Sequence, residues 1–426
     1  MKESFLHFVW QFQKFDSSNL RDADGNEVTV LGVGEHNFNA GPDFLNAKIK
    51  VGDITWHGHV EIHIASSAWN KHNHQNDPAY KNVILHMVWD NDEVILHPDG
   101  KKIPTITLKQ KVDEKLLLQS NLLLESPEKI PCSKLIHKTS KMDVFNMLEK
   151  TAIERLERKS LGVLDLLAQN DNDWEETAYQ LLAQNFGFKI NAHPFMKLAQ
   201  NLPFKLLKKH CGQEIQIEAL LYGVSGFLNE TPKDDHHSKL MNEYVFLSKK
   251  YKLEGSELTK SEWKYLRLRP ANFPSIRIAQ FASLMNQNPK LFDLFKSFES
   301  AKALITLLKS KPSSYWNKHY DFGKDSKQEL QGIGMSSLEN ILINTAAPIL
   351  LAYGKHINDQ SYVERSIKLL QDLKPEANNI IDQWKELSLP ANNAFESQAL
   401  IELFNNYCLN KKCLSCNIGV SIIGHS

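Results

Sequence analysis

Hydrophobic and polar positions alternate with a period of two through the first quarter of the chain, then recur at spacings of three and four through the rest. The alternating runs lie at 28–33, 44–51, 54–64, 83–89 and 94–96, each of strand length and rich in Val and Ile. Asp24-Gly25-Asn26, Gly52-Asp53, Asp90-Asn91-Asp92 and Pro98-Asp99-Gly100 separate them as turns. The pattern predicts a sheet of about five or six strands, with an amphipathic helix over 4–15 ahead of it. Helical spacing then predicts helices over 139–168, 174–186, 194–207, 215–228, 235–251, 275–285, 291–308, 336–353 and 362–373. Gly187, Pro203, Gly212, Pro274, Pro289, Pro312 and Pro375 act as their breakers. The expected fold class is α+β. A mixed α/β sheet domain spans 1–110, a join 111–135, an all-helical domain 136–400 and a cysteine-rich clasp 401–426.

Composition narrows this picture. The 50 Lys+Arg balance 50 Asp+Glu over 426 residues, and 42% of the chain is hydrophobic. That excludes a disordered chain and argues against a broad basic coat for indiscriminate nucleic-acid binding. No stretch approaches the roughly 18–20 uninterrupted apolar residues of a membrane span, so no membrane partner is expected. The opening residues carry Glu3 and lack a small-residue cleavage site, unlike a secretory signal. Five cysteines fit a reduced, cytoplasmic setting.

Candidate chemistry is distributed unevenly. Eight of the 17 histidines (His36, His57, His59, His63, His72, His74, His86 and His97) fall within the sheet segment. Along 54–64, strand alternation puts His57, His59, Glu61 and His63 on one face and Val60, Ile62 and Ile64 on the other. If Gly52-Asp53 turns a hairpin, Asp43 and Glu61 meet at neighbouring ends of the ladder, where two carboxylates can hold a hard divalent cation. His63 then points the same way, able to orient a water. In the loop that follows, His72-x-His74-x-x-Asp77 offers ligands for a transition metal, contacts for a substrate phosphate, or helix caps through Ser66, Ser67 and Asp77. Trp56 and Trp69 are candidates for stacking on a base, or for packing. Arg267, Arg269 and Arg277 flank a Pro-bounded turn ahead of a helix, a substrate-phosphate contact or a linker paired with acidic residues. Cys408, Cys413 and Cys416 crowd into nine residues and suit Zn²⁺ or an iron–sulfur cluster. Cys132 is the leading fourth ligand, ahead of His425 and Cys211.

Pro42-Asp43 at the start of one strand, followed by Glu61-Ile62-His63 in the next, resembles the PD-(D/E)xK nuclease superfamily over about the first 110 residues. The resemblance implies a restriction-endonuclease-like core with Asp43 and Glu61 holding Mg²⁺ or Mn²⁺ and Glu35 as an additional upstream acid. It also implies nucleic acid as partner. His63 stands where that pattern has lysine. The segments at 41–47, 58–63, 66–74, 83–86 and 269–279, with the closing cysteine run, are similar across nearly the whole chain to the bacterial family called domain of unknown function 2851. Three functions follow as expectations: a metal-dependent nuclease-like protein, a non-catalytic scaffold retaining a nuclease-like sheet, and a zinc hydrolase using His57, His59, His72 and His74. Oligomeric state is not legible in the chain.

Overall fold

The fold was analysed in a computed structural model that describes residues 1–97, 99–329 and 332–424. The architecture is α+β, with a mixed sheet near the N-terminus and a large helical region. The chain divides into two compact units, Met1–Leu148 with Leu403–Ser426, and Glu149–Glu402. The C-terminal cysteine segment therefore belongs to the sheet-bearing unit.

In the first unit, helix α1 (Glu3–Gln11) precedes β1 (Val28–Gly32), β2 (Glu35–His36), β3 (Phe44–Val51) and β4 (Ile54–Ala65). A short α2 (Ala68–Lys71) then leads to β5 (Val83–Asp90) and β6 (Thr105–Thr107). The strand order is β1-β3-β4-β5-β6, with β2 on the β3 edge. β1, β3 and β4 form an antiparallel meander joined at Gly52-Asp53, while β5 and β6 run parallel to β4. The α2 crossover supplies the long return that a parallel pair requires. Pairing of Val60 with Leu85 and Ile62 with Met87 makes one apolar, fully buried face. Glu61 pairs with His86 on the opposite face. α1 buries Phe5, Leu6, Phe8, Val9 and Trp10 and packs against β4.

Two local expectations shift. Residues 94–96 form only an isolated bridge from Leu96 to Lys102, and the last strand is β6 instead. The join 111–135 contains its own helix, α3 (Glu114–Leu124), started by Asp113 accepting from the Lys115 N–H at 2.9 Å. Helix α4 (Lys141–Gln169) then runs through the boundary at 148/149.

The second unit is helical apart from a small hairpin of His319–Asp321 with Lys324–Asp325. Its core includes Tyr179, Phe186, Phe195, Tyr222, Phe281 and Trp316. The expected helix over 291–308 is two helices, Leu291–Ser297 and Ala301–Leu308. The expected helix over 336–353 likewise becomes Met335–Asn344 and Ala346–Ile357. Residues 335–357 are long and apolar enough to cross a membrane by length and composition alone, yet Leu338, Ile341, Leu342, Ile349 and Leu350 pack into this core.

Candidate metal centre

The site grows from the β3–β4 hairpin. Its register shifts between Phe44 and Ala47, where Asn46 takes a left-handed conformation and donates its N–H to His59 Nδ1 at 3.3 Å. Beyond this bulge Asp43 and Glu61 clasp one another through backbone. The Asp43 N–H donates to Glu61 Oε2 at 3.2 Å, and the Ile62 N–H donates to Asp43 Oδ2 at 2.9 Å. The other Asp43 oxygen stands 3.5 Å from His7 Nε2 on α1. On the far side of β4, Gly58 lets β5 approach, because a Cβ there would meet the Asn82 carbonyl oxygen at 2.5 Å.

The loop after β4 returns over this face because an acidic residue anchors its start. Asp92 accepts from the Ser67 N–H at 2.9 Å and the Ser67 hydroxyl at 2.8 Å, and these bonds hold its carboxyl down to about 2. α2 follows, then Asn73 in a left-handed conformation, then a short turn His74–Asn76. Asp77 caps the next turn, Pro78–Tyr80, through the Ala79 N–H at 2.9 Å. Trp69 is fully buried beneath the loop and packs edge-on to His74 and Tyr80, and at a tilt to His86. The Tyr80 ring stacks on His74 with centroids 3.9 Å apart.

The folded loop brings four donors together. His63 Nε2 lies 3.2 Å from His72 Nδ1 and 3.5 Å from Glu61 Oε1, and His74 Nε2 lies 3.4 Å from the same carboxylate oxygen. Donor atoms of His63, His72 and His74 all fall within 4.8 Å of one another. Behind them His63 Nδ1 meets His86 Nε2 at 2.9 Å, a contact that leaves His63 Nε2 turned toward the cluster. Burial decides the electrostatics. Glu61, 4% exposed, has its carboxyl pushed up to about 9, first by desolvation and then by Asp43. Desolvation, then neighbouring imidazoles, pulls His63 down to about 2. Desolvation, with His74 adding to it, takes His86 down to about 3. The protein alone thus holds a protonated Glu61 carboxyl beside neutral His63 and His86. A divalent cation bound there would compete with the Glu61 proton and use imidazole lone pairs.

The structure brings together Asp43, Glu61, His63, His72 and His74 from the expected set. It does not bring Glu35, which is exposed on β2. Its neighbour His36 turns inward instead, stacking on Phe44 and meeting His7 edge-on. Glu3, four residues before His7 on α1, has its carboxyl raised by desolvation and then by Asp43. His57 is exposed beside Lys48, and His59 is engaged with Asn46, so neither joins the imidazole cluster. Arg269 and Arg277 belong to the second unit. Arg269 is exposed, whereas Arg277 is buried, bonded to Gln280, Asn272 and Ser337 and stacked on Phe188. No acidic residue pairs with Arg277 among these contacts, unlike the linker pairing that sequence allowed.

Cys132, Cys408, Cys413 and Cys416 are all buried in the first unit. Cys211 lies in the second unit, its thiol near the Met285 carbonyl oxygen. His425 lies outside the described residues.

A family model described as "Protein of unknown function (DUF2851)" matches residues 3–379. No curated protein and no solved structure matches the chain.

Proposed function

The chain belongs to the DUF2851 family, whose description assigns no activity, and from its own side chains we propose a divalent-metal-dependent phosphodiester hydrolase of nuclease type. One observation carries the reading. Donors of Glu61, His63, His72 and His74 stand 3.2–3.5 Å apart in their closest contacts. Ligands about 2.1 Å from a common ion are roughly 3–3.5 Å from one another. Three imidazoles with one carboxylate favour Mn²⁺ or another transition ion over Mg²⁺, which prefers oxygen and water.

A bound ion would polarise a phosphate oxygen and lower the pKa of its water. Water activated there would attack phosphorus as the bond to the leaving oxygen breaks, the leaving oxygen taking its proton from solvent. The Asp43–His7 pair, 3.5 Å apart beside the donors, is the local acceptor for the water's proton. Nucleic acid as the substrate class rests on Pro42-Asp43 at the head of β3 and Glu61-Ile62-His63 in its antiparallel neighbour. The restriction-endonuclease-like reading of the core rests on the same pair, within an α-β-β-β-α-β-β order in which β2 is a short addition. A groove of about 610 Å³ beside Trp56, His57, Lys81, Asp99, Lys101 and Lys102 lies by the opposite end of β4, where Lys101 and Lys102 already pair with Asp99 and Asp24 at 3.1 and 2.6 Å.

The test is cleavage of single- and double-stranded oligonucleotides by metal-stripped protein with and without Mn²⁺. Activity is expected only with metal, reduced by about 100-fold or more in Asp43→Ala and Glu61→Gln, and unchanged in Glu35→Gln. Equal activity of Asp43→Ala and wild type rules the assignment out. A second reading has its own observation: four side-chain donors close a tetrahedral ion and leave no open position. That scaffold predicts tightly held zinc and no turnover of any oligonucleotide.

A further inference from the structure

Four of the five cysteines converge at one point of the first unit, although Cys132 is remote in sequence from the other three. Cys132 follows Pro131 after α3, and Cys408 ends a π-helical turn, Leu403–Cys408. Cys413 opens a tight turn, Cys413–Ser415, and Cys416 leads into the helix Asn417–Gly424. Each is only 7–8% exposed. The four, with Pro131 and Gly419, line a cavity of about 10 Å³.

The backbone around them is already shaped. The Lys411 N–H donates to the Cys408 carbonyl at 3.0 Å, and the Lys412 N–H to the Tyr407 carbonyl at 2.9 Å. The Cys416 N–H returns to the Cys413 carbonyl at 3.3 Å, and the Val420 N–H caps Cys416 at 2.8 Å. Gly419 permits the helix to sit directly on this turn, since a Cβ there would meet the Cys413 carbonyl oxygen at 2.1 Å. Packing alone asks for a small apolar side chain at each position, not four sulfurs around one void.

We propose that Cys132, Cys408, Cys413 and Cys416 bind a single zinc ion as a tetrathiolate, stapling the C-terminal segment to the sheet-bearing unit. The x4 and x2 spacings of the last three match structural zinc loops. Binding takes a proton from each thiol and involves no change of oxidation state. Closure of this set by four sulfurs leaves no position for substrate, so the centre is structural.

The proposal is independent of the hydrolase reading, and its test separates the two sites. Full-length protein is stripped of metal, reloaded with zinc or cobalt, and compared with Cys413→Ser, Cys211→Ser and His63→Ala/His74→Ala. Wild type, Cys211→Ser and the histidine variant should each show intense thiolate-to-cobalt charge-transfer absorption, and Cys413→Ser should lack it. As a measurement that needs no variant to fold, alkylation of native wild type is followed thiol by thiol by mass spectrometry. Zinc should protect these four cysteines and not Cys211. Four thiols that react at the same rate with and without zinc would overturn the proposal. So would iron with sulfide in the freshly purified chain.

Discussion

The donor cluster on the β3–β4 hairpin and the thiol cluster at the chain's far end belong to the same unit, yet they differ in every property that governs metal chemistry. The first mixes one carboxylate with three imidazoles, and its burial grades from His63, inside, to His72, exposed. The second is all sulfur and evenly buried, with Pro131 and Gly419 beside it. The first is assembled from neighbouring stretches of chain, so the hairpin and the α2 loop hold it together. The second joins residues that only the completed fold brings near. A graded, partly open donor set suits ligand exchange, whereas a buried thiolate set suits a permanent link. The difference teaches that the two sites should fail independently, and by different routes.

The strongest way to break that separation is Trp69→Ala. It empties a fully buried position beneath His74 and His86 and should cost about 3–5 kcal/mol of stability. Thermal melting should drop by several degrees and Mn²⁺ binding should vanish, while cobalt absorption from the thiols persists below the new melting point. Gly419→Ala is next. Its Cβ collides with the Cys413 carbonyl, a strain on the order of 1–3 kcal/mol. Zinc content should fall although every thiol remains, and Mn²⁺ titration should be unchanged.

His86→Leu acts more subtly. It touches no cluster donor but removes the partner of His63 Nδ1, so Mn²⁺ affinity should fall by about 10–100-fold. His59→Ala, on the same strand as His63, should leave affinity intact. The smallest effect is in pH dependence of the metal-free protein. His63 and His86 are held near 2 and 3 against an ordinary 6.5. Their neutral burial therefore supports the fold fully above pH 6.5 and loses ground as pH falls toward 3. Glu61, raised to about 9 from 4.5, does the reverse: its contribution is complete below pH 4.5 and fades as pH climbs to 9. Denaturation midpoints across pH should show both limbs, with the alkaline limb flattened in Glu61→Gln.

Much of the first site was legible because a strand has a period of two and a two-residue turn fixes register. Gly52-Asp53 between β3 and β4 was enough to place Asp43 beside Glu61 with His63 on the same side. Alternation does not reveal contacts between elements. His7 reaches Asp43 from α1, and His86 arrives only once β5 pairs in parallel with β4. Glu35 failed by one position: β2 is two residues long, and His36, not Glu35, takes the inward place. His57 and His59 share a strand with the donors, but His57 lies before the bulge and His59 is taken up in it by Asn46. The cysteine spacing was visible as a motif, whereas the proximity of Cys132 needed the C-terminal segment to pack with the N-terminal unit. Residues 94–96 look like a strand by composition, but β6 forms at Thr105–Thr107, where the chain can run parallel to β5.

Calorimetric titration of Mn²⁺ into metal-stripped full-length protein tests the central claim most directly. The account predicts one site per chain whose affinity collapses in His63→Ala and in His72→Ala/His74→Ala, while Glu35→Gln and Cys413→Ser bind as wild type does. Unaltered Mn²⁺ affinity in the histidine variants would contradict it.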